Sequence, residues 1–291
     1  MHSALLYLVT IVIWGSTWIA IKFQLGSVDA LVSIAHRMAL AALLSVALVL
    51  LREGFAKLSP RDHARVFLQG LCLFSGNYVF IYAATASLST GLVAVVFSTM
   101  VILNAIGGAL FLNLPIRPAV FVGGLLGLFG MALLFLPELG TLSWEDESLR
   151  AVLICFVGTL CASGGNMIAA GNLRRGLPVL SCNCWGMLYG CLCLYVAALL
   201  LGKSLAVPLE PVYLGSLVYL AVFGTVLAFW AYISLIGRIG ADRAAYTTLI
   251  FPLVALLIST VVEGYLWTPW AFGGLALILG GNWLAMRGVR G

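Results

Sequence analysis

The sequence consists of long apolar stretches separated by short polar ones. A helix that spans a membrane needs about 20 predominantly apolar residues, and ten stretches come close to this length. The pattern therefore predicts an all-α membrane protein with ten transmembrane helices. The predicted spans are residues 3–23, 31–51, 64–84, 88–112, 119–136, 149–171, 179–201, 213–236, 241–264 and 270–286.

The composition supports a membrane protein over a soluble one. Of the 291 residues, 63% are hydrophobic and 9% are charged, and the mean hydropathy is +1.14. Soluble domains are roughly 45–50% apolar and about 25% charged, so this chain has too few polar residues to cover a soluble core. No run of basic residues is longer than Arg174-Arg175, so we expect no nucleic acid partner.

The ten predicted spans divide into two sets of five. We assign residues 1–137 to a first five-helix repeat, residues 138–148 to an external connecting loop, and residues 149–291 to a second five-helix repeat. Positions 151 residues apart match across three spans without a gap, which predicts an internal repeat. The matching pairs are Ala94 and Ala245, Pro118 and Pro269, Gly123 and Gly274, Gly130 and Gly281, and Leu133 and Leu284.

The basic residues predict the orientation of the spans. Eleven lysines and arginines fall in the loops on one side and three on the other. Basic residues are enriched in cytoplasmic loops, so we expect both termini in the cytoplasm, with Trp144 and the acidic connecting loop outside. Because each half has five spans, the second half starts on the opposite side and the repeat is inverted. Inverted repeats are typical of transporters that bind their substrate near the midplane, between the halves.

Several short motifs carry a family resemblance over nearly the whole chain. They are Trp14-Gly15-Ser16-Thr17-Trp18 followed by Lys22 in the first span, Arg37 in the second, Gly224-Thr225 and Trp230-Ala231-Tyr232 in the eighth, and Phe251-Pro252-Leu253 in the ninth. Together they resemble the EamA-type proteins of the drug/metabolite transporter superfamily, which include amino acid exporters of the YddG type. The family often has Gly-Glu near the ends of the fourth and ninth spans, where this chain has Asn113-Leu114 and Gly264-Tyr265, with Glu263 out of register.

The resemblance implies a multi-pass protein of the bacterial inner membrane that exports small metabolites. Amino acids, including aromatic or apolar ones, are the first candidates for the substrate. A multidrug or cationic-metabolite exporter of the same fold is the alternative. The expected mechanism is alternating access around a central cavity, and the expected partners are the lipid bilayer and the substrate, with the chain a monomer or a weak homodimer.

Two ionisable residues lie well inside a predicted span, and such residues are candidates for function. Arg37 could bind a substrate carboxylate, it could bond backbone carbonyls at a helix end in a structural role, or its side chain could snorkel outward. The adjacent His36 is interpreted as a packing residue, although proton coupling through it stays open. No Asp or Glu lies at the centre of a span, which favours facilitated export down the substrate gradient.

Aromatic and amide side chains recur in the middle of the spans. An unpartnered amide in hydrocarbon costs several kcal/mol, so we expect these groups to face the interior of the bundle and line a cavity. Such a cavity suits a small amphipathic solute with a carboxylate. The predicted substrate-binding residues are Trp14, Arg37, Asn77, Tyr78, Tyr82, Ser163, Trp185 and Trp230.

Glycine and proline leave structural alternatives open. Gly123 and Gly127 allow two backbones to approach closely, either within the bundle or across a dimer. Pro252 removes one backbone hydrogen bond from the ninth span, which predicts either a kink or a hinge.

The chain carries no pattern typical of an enzyme or a metal site. All seven cysteines lie in apolar runs, and the pairs Cys182-x-Cys184 and Cys191-x-Cys193 have a spacing that does not share a helix face. No paired aspartates and no H-E-x-x-H motif occur in the spans. We therefore expect no catalytic residue, no metal and no cofactor. An intramembrane enzyme or a membrane scaffold is the alternative of another class.

Overall fold

A computed structural model describes residues 2–24, 28–52, 54–140, 146–262 and 267–287. Within these ranges the regular structure is helical and no strand occurs. Of the residues discussed above, Trp144, Glu263, Gly264 and Tyr265 lie outside the described residues. The helices are α1 (Ser3–Lys22), α2 (Ala30–Arg52), α3 (Pro60–Ala84), α4 (Thr90–Ser98 and Met100–Leu112), α5 (Pro118–Leu134), α6 (Asp146–Arg174), α7 (Val179–Leu200), α8 (Pro211–Ile239), α9 (Ala241–Ala244 and Thr247–Val262) and α10 (Pro269–Met286), with a one-turn helix, Leu136–Gly140, before α6.

Eight helices of the described chain are long and apolar enough to cross a membrane. Helices α5 and α10, with 17 and 18 residues, are shorter than most of these. Large apolar side chains cover the outside of the bundle, and Leu51, Leu200 and Val261 are 83%, 82% and 86% exposed. Such a surface is stable in lipid and not in water, so the all-helical membrane class is confirmed. The count of ten spans in two inverted halves stays a prediction.

Proline residues determine where several helices begin. Pro60, Pro118, Pro211 and Pro269 each lie in the first turn of a helix, where the missing N–H would have no intrahelical partner. At α3 the preceding Ser59 completes the start, since its hydroxyl accepts from the backbone N–H of residue 62 while its own N–H donates to that aspartate's carboxylate. This capping box extends α3 four residues beyond the predicted start at residue 64.

Helix starts recur at the spacing of 151 residues seen in the sequence. Helices α3 and α8 begin at Pro60 and Pro211, and α5 and α10 begin at Pro118 and Pro269. Both α3 and α8 also contain a stretch of wider π-helix. These stretches, Leu71–Gly76 and Val222–Leu227, are again 151 residues apart, and we call them the α3 π segment and the α8 π segment.

The first helix of each half packs against the other half. Helix α1 lies against α8 and α9, while α6 lies against α3 and α4. Further contacts between the halves pair α5 with α10, α2 with α7 and α8, α3 with α7, and α4 with α9. Between α5 and α10, Gly123 contacts Gly281 and Gly130 contacts Gly274, so these two helices run antiparallel. The close glycine packing predicted by the sequence lies here within the bundle.

The connection between the halves contains more helix than the sequence predicts. The assigned loop at 138–148 includes the end of the short helix Leu136–Gly140 and the first residues of α6, which begins at Asp146. Residues 141–145 lie outside the described ranges.

Candidate functional site

A cavity of about 360 Å³ lies between the two halves. Residues of α1, α2, α3, α4, α6, α8 and α9 border it, and α7 and α10 contribute none of the described lining residues. The wall is mostly apolar, and none of the described residues in it is acidic. Because helices from both halves build the wall, a relative movement of the halves would change its shape.

Arg37 supplies the one formal positive charge among the described lining residues. The side chain is 3% exposed. Its Nε donates to Thr225 Oγ1 at 2.8 Å, and its Nη2 donates to the Gly224 carbonyl at 3.1 Å. No carboxylate pairs with Arg37 among the residues that the structure describes. A buried cation without an anionic partner is costly, which makes this wall a favourable place for a negatively charged group of a ligand.

Trp14 lies beside the same backbone carbonyl. Its Nε1 donates to the Gly224 carbonyl at 3.2 Å, so side chains from α1 and α2 meet at one point of the α8 π segment. The indole also packs against aromatic rings of α8 and α9, with centroid distances of 5.3 Å to Phe229, 5.0 Å to Tyr232 and 6.2 Å to Phe251. These rings form an aromatic part of the wall that suits an apolar side chain.

The three predicted residues of α3 also border the cavity. Asn77 follows directly after the α3 π segment, and Tyr78 and Tyr82 extend the wall. The Arg37 guanidinium lies over the Tyr78 ring, 5.2 Å from its centroid, and donates to the Tyr78 hydroxyl at 3.5 Å. The structure thus brings together five of the eight predicted substrate-binding residues.

Ser163, Trp185 and Trp230 lie away from this group, and none of them is among the residues that border the cavity. On α8, Phe229 and Tyr232 are three residues apart and face the cavity, whereas Trp230 is rotated by about 100° from Phe229 and lies farther still from the direction of Tyr232. Trp185 is on α7, stacked with Tyr189 at 5.8 Å.

Some lining residues were not among the predicted set. Asn166 borders the cavity and donates from Nδ2 to the Tyr232 hydroxyl at 3.1 Å and to the Met100 sulfur at 3.4 Å. Asn166 could have been predicted from the sequence, because it is an amide in the middle of an apolar span. Phe97 and Phe251 carry no such signal, because apolar aromatic residues are common in every part of this chain.

His36 lies outside the cavity wall although it is adjacent to Arg37 in sequence. Its ring nitrogens contact the Tyr213 hydroxyl at 3.3 Å and the Leu205 carbonyl at 3.2 Å. Consecutive helical residues point in directions about 100° apart, so only Arg37 faces the cavity.

The cavity is open towards one side of the bundle. It reaches the helix ends near Ile21, Thr85 and Ile258, which the count of basic residues predicts to be external. On the opposite side α4 and α9 are joined, since Asn104 Nδ2 donates to the Ala241 carbonyl at 3.0 Å. Arg117 and Asp242 form an ion pair at 3.8 Å at the same end.

The described residues hold no group of three or more His, Cys, Asp or Glu side chains that could bind a metal ion. The seven cysteines are free thiols. The wall described above therefore offers hydrogen bonds, one cation and aromatic surface to a ligand.

Comparisons with known proteins agree with this geometry. The model of the EamA-like transporter family matches residues 1–136 and 149–287. The Escherichia coli K12 protein described as the uncharacterized inner membrane transporter YedA is 30% identical over 269 residues, which cover 87% of this chain and 80% of that protein. A probable amino-acid metabolite efflux pump of the same strain is 22% identical over 297 residues, covering 99% of this chain and 96% of that protein.

The fold is shared with a protein of known structure. One crystal structure superposes with a TM-score of 0.81 over 99% of this chain and 98% of that one. The sequence identity is 18%, so the likeness concerns the fold alone.

Proposed function

Because the chain belongs to the EamA-like transporter family, we propose that it exports small metabolites across the inner membrane, foremost amino acids with aromatic or apolar side chains. The substrate binds in the central cavity, and alternating access exposes that cavity to one side of the membrane and then to the other. One relative is a probable amino-acid metabolite efflux pump, which supports this substrate class.

The observation that carries the proposal is the buried Arg37 in an otherwise apolar wall. An amino acid offers a carboxylate for the guanidinium and a side chain for the aromatic rings around Trp14. The cavity of about 360 Å³ is within the range of roughly 300–1,000 Å³ that small-molecule sites occupy. Arg37, Trp14, Asn77, Tyr78 and Tyr82 form the proposed site.

The proposed architecture is ten spans in two inverted halves, residues 1–137 and 149–291, with both termini in the cytoplasm. Three observations support it. Helices that are equivalent under the shift of 151 residues begin at equivalent positions. The first helix of each half packs against the other half. The equivalent helices α5 and α10 pack antiparallel, as two halves related by a twofold axis in the membrane plane require. In this arrangement the structure is open to the outside, and α4 and α9 close the cytoplasmic side.

The alternative is an exporter of drug-like cations with the same fold. A cationic substrate would favour a carboxylate in the wall, and the described lining residues contain Arg37 and no acidic residue. The same wall lacks the paired catalytic groups that an intramembrane enzyme needs, and a scaffold would not require a cavity with a buried cation in its wall.

The test is uptake of labelled amino acids into liposomes that contain the purified protein, with and without a pH gradient. Uptake of phenylalanine or leucine without the gradient is the expected result and indicates facilitated transport. Uptake that needs the gradient would show proton coupling and direct attention to His36. If no amino acid enters while a drug-like cation shows saturable uptake, the alternative is correct.

Arg37→Ala tests the carboxylate site in the same assay. Hydrogen bonds to charged groups contribute about 1.5–3 kcal/mol, so the KM for amino acids should rise roughly 10- to 100-fold. Arg65→Ala removes an exposed arginine of α3 and is the matched control, which should leave the KM unchanged. Equal uptake by both variants, with Arg37→Ala folded in detergent, would contradict the carboxylate role.

A further inference from the structure

The Thr225 hydroxyl accepts a hydrogen bond from Arg37, because it donates its own hydrogen to another group. The Thr225 hydroxyl donates to the Leu220 carbonyl, five residues earlier, at 2.9 Å. A threonine hydroxyl has one hydrogen and two lone pairs, so towards Arg37 Nε, 2.8 Å away, its oxygen acts as the acceptor. The direction of both bonds is thereby determined, and the guanidinium is fixed at its Nε edge.

The adjacent Gly224 allows the guanidinium to lie directly against the backbone. A Cβ atom at this position would be 3.1 Å from Arg37 Nη2 and 2.8 Å from Thr17 Cγ2. The absence of a side chain leaves the Gly224 carbonyl accessible to Nη2. Thr225 and Gly224 therefore bind two neighbouring nitrogens of one planar group and set its orientation in the wall.

The first half shows that a π segment does not need this arrangement for its own stability. Shifted by 151 residues, Thr225 corresponds to Phe74 and Arg37 to Leu188. The α3 π segment nevertheless forms, with Ser75 donating to the Leu71 carbonyl at 3.0 Å and Phe74 fully buried. The threonine–arginine pair is thus an addition in one half only, and it lies where the cavity is.

We infer that Thr225 is a positioning residue for substrate recognition: through the α8 π segment it orients Arg37 so that the guanidinium can bind a carboxylate in the cavity. A guanidinium has five N–H donors, so it can retain both contacts to α8 and still bond a carboxylate. Arg37 belongs to the first half and Thr225 to the second, so the carboxylate site is complete only while α2 and α8 are in contact. This inference rests on the proposed function and names the part of the substrate that the site selects.

The test compares phenylalanine with phenethylamine, which lacks the carboxylate and keeps the ring and the amine. Binding of each compound to the purified protein in detergent is measured by calorimetry. The variants are Thr225→Val, which has nearly the same shape and no hydroxyl, Thr225→Ser, which keeps the hydroxyl, Arg37→Gln, and the double variant of Arg37→Gln with Thr225→Val. Thr159→Val is the control, since Thr159 is fully buried on α6, bonds the Cys155 carbonyl and does not border the cavity.

We expect the wild type to prefer phenylalanine and Thr225→Val to reduce that preference about tenfold, the effect of one lost charge-assisted hydrogen bond. Thr225→Ser and Thr159→Val should keep the preference. The double variant should bind phenylalanine no more weakly than Arg37→Gln alone, because residues that act through one another do not add.

Different failures have different meanings. If Thr225→Val weakens both compounds equally, or neither, the inference is wrong, and the threonine has only a structural role or none. If Arg37→Gln abolishes the preference while Thr225→Val retains it, the proposed function stands and the positioning role is refuted. If the wild type does not prefer phenylalanine, and Arg37→Gln binds both compounds as the wild type does, both proposals are wrong.

Discussion

The contact between α5 and α10 gives a sharp prediction about two neighbouring glycines of α10. A Cβ atom on Gly281 would be 2.4 Å from the Gly123 carbonyl oxygen, whereas one on Gly280 would have no atom within 4 Å. The same helix thus offers a position where one methyl group collides with a backbone and an adjacent position where it meets nothing.

The magnitude follows from these distances. A carbon atom and a carbonyl oxygen normally stay about 3.3 Å or more apart, so Gly281→Ala has to separate the two backbones by about 1 Å. Overpacking of this kind costs about 1–3 kcal/mol. Gly280→Ala should be neutral or stabilising by up to about 1 kcal/mol, because alanine is the better helix former.

The measurement is thermal unfolding of both variants in detergent, followed by tryptophan fluorescence. At roughly 2–4 °C for each kcal/mol, Gly281→Ala should unfold about 5–10 °C below Gly280→Ala. Equal midpoints for the two variants would refute the close backbone contact between α5 and α10.

Two further predictions concern the cavity wall and an ion pair between the residue that precedes α2 and a loop residue after α7. Trp14→Phe removes the indole N–H that bonds the α8 π segment and should raise the KM for amino acids, whereas Trp185→Phe, on a helix that does not border the cavity, should leave the KM unchanged in the same liposome assay. The Asp29 carboxylate accepts from Lys203 Nζ at 2.8 Å, and this hydrogen bond lowers the pKa of Asp29 below its ordinary value. Because its pKa is lowered, Asp29 stabilises the folded state at pH values above its ordinary pKa of about 3.9. This stabilisation is at most about 1 kcal/mol for an exposed pair, and it is lost as the pH falls through the lowered pKa. Lys203→Met should therefore unfold below the wild type at pH 6, and the difference should shrink as the pH falls below the ordinary pKa of Asp29, as thermal unfolding at a series of pH values would show.

The helical membrane class could be predicted from the sequence, because this class depends on one property, the length of the apolar stretches. The predicted starts at residues 119 and 270 are each one residue from the observed starts at Pro118 and Pro269, and the capping residues Ser59 and Asp62 account for a start at Pro60 in place of residue 64. The π segments were not predicted, since neither Leu71–Gly76 nor Val222–Leu227 differs in composition from the helix around it.

The site was predicted in part for a related physical reason. In a soluble protein, polar residues mark the outer face of each helix, but here both faces are apolar and Trp283, for example, is 60% exposed on the outside. A charge such as Arg37 or an amide such as Asn77 must avoid lipid and so indicates the interior. A tryptophan has no such restriction, which is why Trp14 and Trp230 are indistinguishable in the sequence. The π segment of α8 also changes the phase of the residues that follow it, which directs Phe229 and Tyr232 to the cavity and turns Trp230 away from it.

Each half packs its first helix against the other half, so side chains of both halves build the cavity wall. Trp14 is on α1 of the first half, yet its bond and its ring contacts are to α8 and α9 of the second. Arg37 makes the same crossing from α2. Both side chains converge on Gly224 in a stretch of π-helix, where the backbone departs from the regular α-helical bonding that would make it rigid. On the proposed function, a carboxylate bound to Arg37 would lie at the contact between the halves, beside the α8 π segment, so a relative movement of α2 and α8 would change the geometry of its binding site.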